Sequence, residues 1–381
     1  MTQHHGFFDA NSGDLAAFKV LIDRQLTQAE VPLADEIAQN VPLYRVGDLT
    51  DPIRRTAVLS EWGSVLGRSA GVLVLKGALP DPAVIDQATE VYNQIIADER
   101  AGASGKGDHF AASGANDRIW NAAQKHCLRD PENYARYMGS PSVAAVCEAW
   151  LGPNYQVTTQ INQVRPGGQA QSAHRDYHLG FQTAEAAARY PVHAHLVTAT
   201  LTLQGAVAHC DMPVESGPTK LLPFSQLYEP GYVAFHDPSH AEVFEARCIQ
   251  LPLEKGDAVF FNPALFHAAG ENRSADIHRM ANLFQVSSAF GRAMESLDRL
   301  AMSKALFPVL RDAGLSVAER DAAIAATAEG YPFPTNLDTD PPVGGLAPES
   351  QAELMRRALD AGWSEAEFAE ALDAQARRRL P

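Results

Sequence analysis

The chain has 381 residues, of which 46% are hydrophobic and 20% are charged, and this composition excludes a largely disordered protein. Acidic residues outnumber basic ones by 46 to 31, which gives a formal net charge of −15 and argues against nucleic acid as the main partner. The N-terminus lacks a signal-peptide pattern and no stretch approaches the ~20 apolar residues of a membrane span, so we expect a cytoplasmic protein without a membrane partner.

The first third of the chain has the pattern of amphipathic helices around one short strand. Apolar residues at three- and four-residue spacings predict helices over residues 57–67, 82–100, 131–138 and 141–151. An apolar run bounded by Gly71 and Gly77 predicts a buried strand. A polar, glycine-rich loop is expected over residues 101–116.

The middle third changes to short β-like runs separated by glycine, proline and asparagine. The predicted strands cover residues 155–164, 195–204, 219–223, 243–251, 257–262 and 280–287. Residues 195–204 alternate apolar residues and threonine with a period of two. Many short strands with turn signals between them indicate a sandwich or a barrel.

The last part of the chain returns to a helical pattern, with amphipathic helices predicted over residues 349–361 and 364–378. We therefore divide the chain into an N-terminal helical segment over residues 1–70, a β-rich domain with helical insertions over residues 71–290 and a C-terminal helical extension over residues 291–381. The C-terminal helices either cap the barrel or pair with another subunit, so the oligomeric state stays open.

A His-x-Asp pattern stands within the β-rich third. On an extended strand, residues i and i+2 project to the same face, so His174 and Asp176 point together. A third ligand is expected from a distant strand, and His267 follows an apolar run that begins after a Lys-Gly-Asp turn. Two histidines and one carboxylate form the facial triad that suits Fe(II) in oxygenases. Such a triad leaves three metal positions, enough for a bidentate 2-oxo acid and dioxygen.

A 2-oxo acid with a second carboxylate needs a fixed cation away from the metal, and arginine suits because its planar fork binds a carboxylate bidentately. Arg279 lies twelve positions beyond His267 and opens the strand predicted over residues 280–287. A hairpin would place it beside the metal strand. Arg273 is the alternative, but it lies in the turn between the two strands and is expected to be solvated.

The competing interpretation of this pattern is structural. A single His-x-Asp is more often a surface turn or a local hydrogen bond than a ligand pair. The sequence also contains a second copy, His209 and Asp211, which follows a predicted strand and is expected in a loop. From the residues alone, the interpretation of His174 and Asp176 as metal ligands therefore depends on whether the distant His267 joins them.

The order of these parts resembles the phytanoyl-CoA dioxygenase family of Fe(II)/2-oxoglutarate oxygenases. The similarity runs from about residue 71 to residue 287. The matching segments are residues 71–80, 163–167, 174–176, 215–226, 255–257 and 266–272, followed by Arg279. One departure is Gln226, which replaces a histidine that is usually structural in the family. The presence of Asp176 argues against the halogenase branch, in which a small residue frees a position for halide.

The resemblance implies an α+β fold with a double-stranded β-helix, a cupin-like jelly roll, between flanking helices. It implies Fe(II) as the cofactor and 2-oxoglutarate and O2 as co-substrates. It assigns the metal to His174, Asp176 and His267, and 2-oxoglutarate to Arg279. The implied reaction decarboxylates 2-oxoglutarate to succinate and CO2 and hydroxylates an unactivated C–H bond of a small molecule.

Further contacts with ligands are expected from neighbouring segments. Strand parity separates two sets of side chains on residues 155–164, and the resemblance favours the set with Thr159 and Gln163 as facing the co-substrate. Candidate substrate contacts are His178, which shares the face of Asp176 if that strand continues, and Arg118 and Trp120 in the polar segment before the barrel. Structural roles for all of these residues stay open.

The leading interpretation is a 2-oxoglutarate-dependent dioxygenase with a small-molecule substrate. Two alternatives remain from the sequence. One is a jelly roll that binds a ligand without catalysing a reaction, and the other is a cupin-like zinc or manganese enzyme. Metal analysis after anaerobic purification would separate the second, because zinc prefers closed or single-water sites.

Overall fold

The computed structural model describes residues 6–9, 11–47, 49–102 and 116–381. Most of the loop predicted over residues 101–116 lies outside the described residues. Helices in the described part are α1 (Leu15–Ile22), α2 (Pro52–Arg68), α3 (Pro82–Ala101), α4 (Ala122–Arg129), α5 (Pro131–Met138), α6 (Pro141–Leu151), α7 (Ala184–Ala187), α8 (Val192–Thr198), α9 (Gly231–Ala234), α10 (Pro238–Arg247), α11 (Arg299–Asp312), α12 (Val317–Thr327), α13 (Gln351–Asp360) and α14 (Glu365–Arg378).

The strands are β1 (Glu36–Ala38), β2 (Val41–Arg45), β3 (Val72–Lys76), β4 (Asn116–Ile119), β5 (Gln156–Val164), β6 (Thr202–Ala208), β7 (Lys220–Leu221), β8 (Ala258–Phe261), β9 (His267–Ala268) and β10 (Arg279–Ser287). Eight of them form one sheet in the order β1-β2-β3-β8-β6-β10-β5-β4. Every neighbouring pair in this sheet is antiparallel except β2 and β3.

A second, smaller layer faces the large sheet. Strands β7 and β9 pair antiparallel, and isolated bridges from His174 to His267 and from Leu221 to Ile249 widen the layer. Residues of β9 and of β5, β6, β8 and β10 line one cavity, so the two layers enclose it. The expected α+β fold with a jelly-roll core and flanking helices is confirmed.

The two faces of the large sheet have different surroundings, as β10 shows. Leu283 and Gln285 line the cavity. Asn282, between them in sequence, is fully buried on the other face, where its amide donates to the hydroxyls of Tyr92 and Tyr137. Helices α2, α4, α6 and α12 contact strands of this sheet. The helices thus cover one face and leave the other for the site.

Two strand predictions were wrong. Residues 195–204 divide into the end of α8 and the start of β6, and the strand continues to Ala208. Every residue of β6 is buried, so alternation within the strand is not a guide to its bounds. Residues 243–251 largely belong to α10, which begins after Asp237, whose carboxylate accepts from the backbone N–H of Ser239, with Pro238 in its first turn.

The helices predicted near the C-terminus are present as α13 and α14. Each starts with a reciprocal capping box, Ser350 with Glu353 and Ser364 with Glu367. Phe368 of α14 stacks on Phe307 of α11 with ring centroids 4.1 Å apart. None of the helices in the described ranges has the length and apolar character needed to cross a membrane.

Candidate metal centre and co-substrate cavity

Backbone pairing places the two histidines side by side. The backbone N–H of His174 donates to the carbonyl of His267 at 3.0 Å, and the N–H of His267 donates back at 3.1 Å. This pairing brings the two imidazole centroids to 4.4 Å. The N–H of Asp176 donates to the carbonyl of Pro263 at 3.1 Å, so the chain is held at residue 176 as well as at residue 174.

The three predicted ligands converge. Nε2 of His174 lies 3.8 Å from Oδ1 of Asp176, and Nε2 of His267 lies 3.4 Å from Oδ2. One donor atom from each residue lies within 4.8 Å of the other two. Residues 93 positions apart in sequence, from 174 to 267, therefore form one compact donor group.

The hydrogen bonds of the imidazoles fit a metal site. Nδ1 of His174 lies 2.8 Å from the carbonyl of Ser172, and Nδ1 of His267 lies 2.9 Å from the carbonyl of Leu265. A carbonyl only accepts, so Nδ1 carries the proton in each ring and Nε2 presents its lone pair to the centre. Outer partners of this kind commonly orient metal-binding histidines. The residues present therefore fit a divalent cation such as Fe(II).

Electrostatics favour the metal-binding forms of His174 and Asp176. Burial, reinforced by the neighbouring His267, lowers the pKa of His174, so its ring is neutral at neutral pH. Burial acts to raise the pKa of Asp176, but its contacts with the two imidazoles and with Gln204 outweigh burial and hold that pKa well below its usual range. A carboxylate and neutral imidazoles are the forms that coordinate a metal.

The second His-x-Asp copy has a different role. The imidazole of His209 is buried and bonds at 2.8 Å to the hydroxyls of both Tyr137 and Thr89. Burial, with the nearby His126 and Lys255, lowers its pKa to about 3. Asp211 accepts from the backbone N–H of Lys255 at 2.9 Å. This pair follows the end of β6, as expected, and holds the sheet against the helices.

His174, Asp176 and His267, the three candidate ligands, border a cavity of about 860 Å³. Arg279 borders the same cavity, and so do the predicted contacts Arg118 and Trp120. The structure adds residues that sequence reasoning missed, namely Gln160, Asn162, Phe181, Gln204, Phe261, Gln285 and Met294. Side-chain amides are common in strands, so no sequence signal singles out these glutamines.

Arg279 is a buried cation without an acidic partner in the described part of the chain. Only 8% of the residue is exposed, and burial lowers the pKa of its guanidinium to about 10. Its hydrogen bonds are long, 3.4 Å to the carbonyl of Ser216 and 3.5 Å to that of Gly270. Arg273, by contrast, is exposed. Burying a charge is costly unless it is paired, so Arg279 fits an incoming carboxylate.

The parity expected for β5 is corrected by the structure. Gln160, Asn162 and Val164 line the cavity, whereas Thr159 and Gln163 are not among the lining residues in the described ranges. Thr159 is fully buried, and its hydroxyl has no partner among the described residues. Alternation separates two sets of side chains, but only tertiary packing decides which set meets the helices.

Of the predicted substrate contacts, Arg118 and Trp120 line the cavity and His178 does not line it within the described ranges. Arg118 donates to Oε1 of Gln160 at 3.1 Å, and its guanidinium lies 5.3 Å from the ring centroid of Trp120. His178 does not line the cavity in the described ranges, and its Nδ1 lies 2.8 Å from the hydroxyl of Thr198. The chain turns after Asp176, because the next two residues have positive φ values, so His178 does not share the face of Asp176.

Comparison with known proteins identifies the relatives of this chain. The phytanoyl-CoA dioxygenase (PhyH) family matches residues 67–281. Dioxygenase andF of Emericella variicolor is 29% identical over 146 residues, which cover 37% of this chain and 46% of that protein. Dioxygenase cdmD of Talaromyces verruculosus is 30% identical over 139 residues, which cover 35% of this chain and 41% of that protein. The chain thus spans less than half the length of these relatives.

Solved structures of similar shape include two enzymes of nogalamycin biosynthesis. The non-heme alpha-ketoglutarate-dependent epimerase SnoN is 20% identical, with a TM-score of 0.42 over 61% of this chain and 84% of that one. The carbocyclase SnoK is 20% identical, with a TM-score of 0.42 over 60% of this chain and 83% of that one.

Proposed function

Because the chain belongs to the phytanoyl-CoA dioxygenase family, we propose that it is an Fe(II)- and 2-oxoglutarate-dependent dioxygenase that hydroxylates an unactivated C–H bond of a small molecule. The observation that carries this proposal is one cavity that holds a 2-His-1-carboxylate group and a buried arginine, Arg279, for which the described residues supply no acidic partner. The reaction converts R–H, O2 and 2-oxoglutarate into R–OH, succinate and CO2.

His174, Asp176 and His267 are the residues that would hold Fe(II). When bound, ferrous iron supplies dioxygen activation and the oxidative decarboxylation of 2-oxoglutarate. The chain itself would contribute these three ligands, all of which line the cavity in which the co-substrate and the substrate would bind. The ring of Phe261 packs 4.8 Å from that of His267, and both residues line the cavity.

Arg279 would bind the distal carboxylate of 2-oxoglutarate. The planar fork of a guanidinium matches a carboxylate bidentately, and the buried surroundings strengthen that pair relative to water. Ser216 and Gly270 offer only carbonyl acceptors to the guanidinium, which keep it in place without neutralising its charge. The co-substrate would thus be anchored at the arginine while its 2-oxo acid end faces the ligands.

The rest of the cavity would hold the substrate. Its wall includes Trp120, Phe181 and Met294 as apolar surfaces and Gln160 as an amide. Apolar surfaces combined with polar groups that can orient a ligand, here several amides and the guanidinium of Arg118, are typical of sites for small organic molecules. We propose a small molecule with a largely apolar body, without assigning a coenzyme A thioester.

The test is formation of succinate by protein that is purified anaerobically and supplied with Fe(II), 2-oxoglutarate, O2 and a panel of apolar small molecules. The proposal expects succinate to depend on iron and to disappear in His174→Ala. His193→Ala is the matched control, because His193 is exposed. Tight 2-oxoglutarate binding without succinate from any compound favours a non-catalytic binding protein, and zinc or manganese as the bound metal favours a different cupin-like enzyme.

A further inference from the structure

Gln204 lies next to the metal ligands, on a different strand. It belongs to β6, is 3% exposed, and pairs in register with Gln285 of β10. Its Nε2 donates to Oδ2 of Asp176 and also to Oε1 of Gln285, the second at 3.3 Å. The two glutamines and the ligand carboxylate therefore form a chain of hydrogen bonds that starts at the metal centre.

The orientation of both amides follows from the carboxylate. An ionised carboxylate only accepts hydrogen bonds, so the NH2 group of Gln204 must face Asp176. The second hydrogen of that NH2 group then requires an acceptor, and the carbonyl oxygen of Gln285 provides it. One oxygen of Asp176 is thus engaged by the protein, while Oδ1 accepts no hydrogen bond from the side chains of the described ranges.

This arrangement has a cost to the fold. Oε1 of Gln204 is buried and has no hydrogen-bond partner in the described part of the chain. A buried polar atom without a partner is unfavourable, and native proteins keep few of them. An apolar side chain at position 204 would avoid this cost, so the amide is explained by what its nitrogen does for Asp176.

We propose that Gln204 is a positioning residue for the metal ligand Asp176, and that Gln285 holds Gln204 in the required orientation. The inference rests on the proposed function only in requiring a metal at this centre. Gln204 restrains rotation of the carboxylate and leaves Oδ1 for the cation. Gln285 acts through Gln204, since its described hydrogen bond to this group goes to Gln204 and not to Asp176.

The experiment measures Co(II) affinity by calorimetry on the full chain, without substrate or turnover. Gln204→Met keeps the length of the side chain and removes the donor. We expect its dissociation constant to rise by about 10- to 100-fold, the range typical of an outer-shell partner. Gln285→Met should raise it by a smaller factor, and the double variant should match Gln204→Met within about twofold, because both changes act along one path.

Asn282→Leu is the matched control, since it removes a buried amide from β10 on the helix-covered face. Co(II) affinity within about twofold of wild type in Gln204→Met overturns the inference, and so does an equal loss in Asn282→Leu. Full additivity of the two glutamine changes overturns the role given to Gln285. If Gln204→Met does not fold, unchanged affinity in Gln285→Met overturns the proposal.

The same titration separates this inference from the proposed function. A wild-type protein that binds no Co(II), or whose binding survives His267→Ala, contradicts the metal centre itself. Tight wild-type binding that His267→Ala abolishes and Gln204→Met leaves intact contradicts the positioning role alone.

Discussion

Replacing Arg279 by methionine tests the co-substrate site most directly. The change keeps an extended side chain and removes the buried charge, so a bound 2-oxoglutarate loses the partner of its distal carboxylate. Truncating one member of a buried charge pair costs about 2–5 kcal/mol, of which much is the penalty of leaving the other charge unpaired. Since about 1.4 kcal/mol is tenfold in affinity, we expect roughly 30- to 4000-fold weaker binding.

The assay is an anaerobic calorimetric titration of 2-oxoglutarate into protein loaded with Co(II). Arg273→Met serves as the control, because Arg273 lies in the same connection between β9 and β10 and is exposed. Its dissociation constant should equal that of the wild type. A value for Arg279→Met within about threefold of the wild type would refute the assignment.

Thermal stability, measured with and without 2-oxoglutarate, gives a second and independent test of Arg279. Without co-substrate, Arg279 is a buried cation with only long carbonyl contacts, so replacing it by an apolar residue should leave Tm unchanged or raise it. At a co-substrate concentration of 100 Kd, binding should stabilise the wild type by about 2.7 kcal/mol. Arg279→Met should keep at most about 0.9 kcal/mol of this gain at the same concentration, because its binding is expected to be at least 30-fold weaker. A lower Tm without co-substrate would indicate a structural arginine.

Three further predictions concern the metal and the core. His174→Ala should weaken Co(II) binding by more than the ~100-fold of an outer-shell change, with His193→Ala unchanged, and retained binding would contradict the centre. His209 has its pKa lowered to about 3 from 6.5, so the unfolded chain binds this proton first. The free energy of unfolding should therefore fall by about 1.4 kcal/mol per unit as pH drops from 6.5 toward 3. Urea titrations should show a shallower slope in His209→Gln, and an equal slope would reject the assignment. A Cβ on Gly231 would lie 1.9 Å from Cζ of Arg175, so Gly231→Ala should lower the urea-derived stability by about 3 kcal/mol, whereas a loss under 0.5 would contradict the packing.

Part of the candidate metal centre was predictable from the sequence, because the direction of side chains along an extended segment depends only on local geometry. The i, i+2 spacing of His174 and Asp176 places both on one face of any extended segment. His267 was chosen because it follows an apolar run in the sequence. In the structure that run forms β8, His267 begins β9, and the three candidate ligands lie together. The choice of Arg279 over Arg273 also followed from position, since a strand residue is held by the sheet while a turn residue faces solvent.

Other features depended on how the layers pack. Alternation along β5 separates Thr159 and Gln163 from Gln160 and its neighbours, but the pattern is the same whichever face meets the helices. The helices cover the face that carries Thr159, so the cavity receives the other set. The bounds of β6 were missed for a related reason, because a strand buried on both faces has no polar side to mark its ends.

The sequence alone determined that His174 and Asp176 project to the same side, because spacing along an extended segment sets the direction of each side chain without reference to the rest of the fold. Only the tertiary structure decided that Gln204 bonds to Asp176 and that Gln285 lies beside it. These contacts join residues 28 and 81 positions apart in sequence. Gln204 and Gln285 meet through the register of β6 and β10, whereas Asp176 reaches Gln204 from a segment outside the strands. Register arises from the packing of the whole core, so no local pattern encodes it.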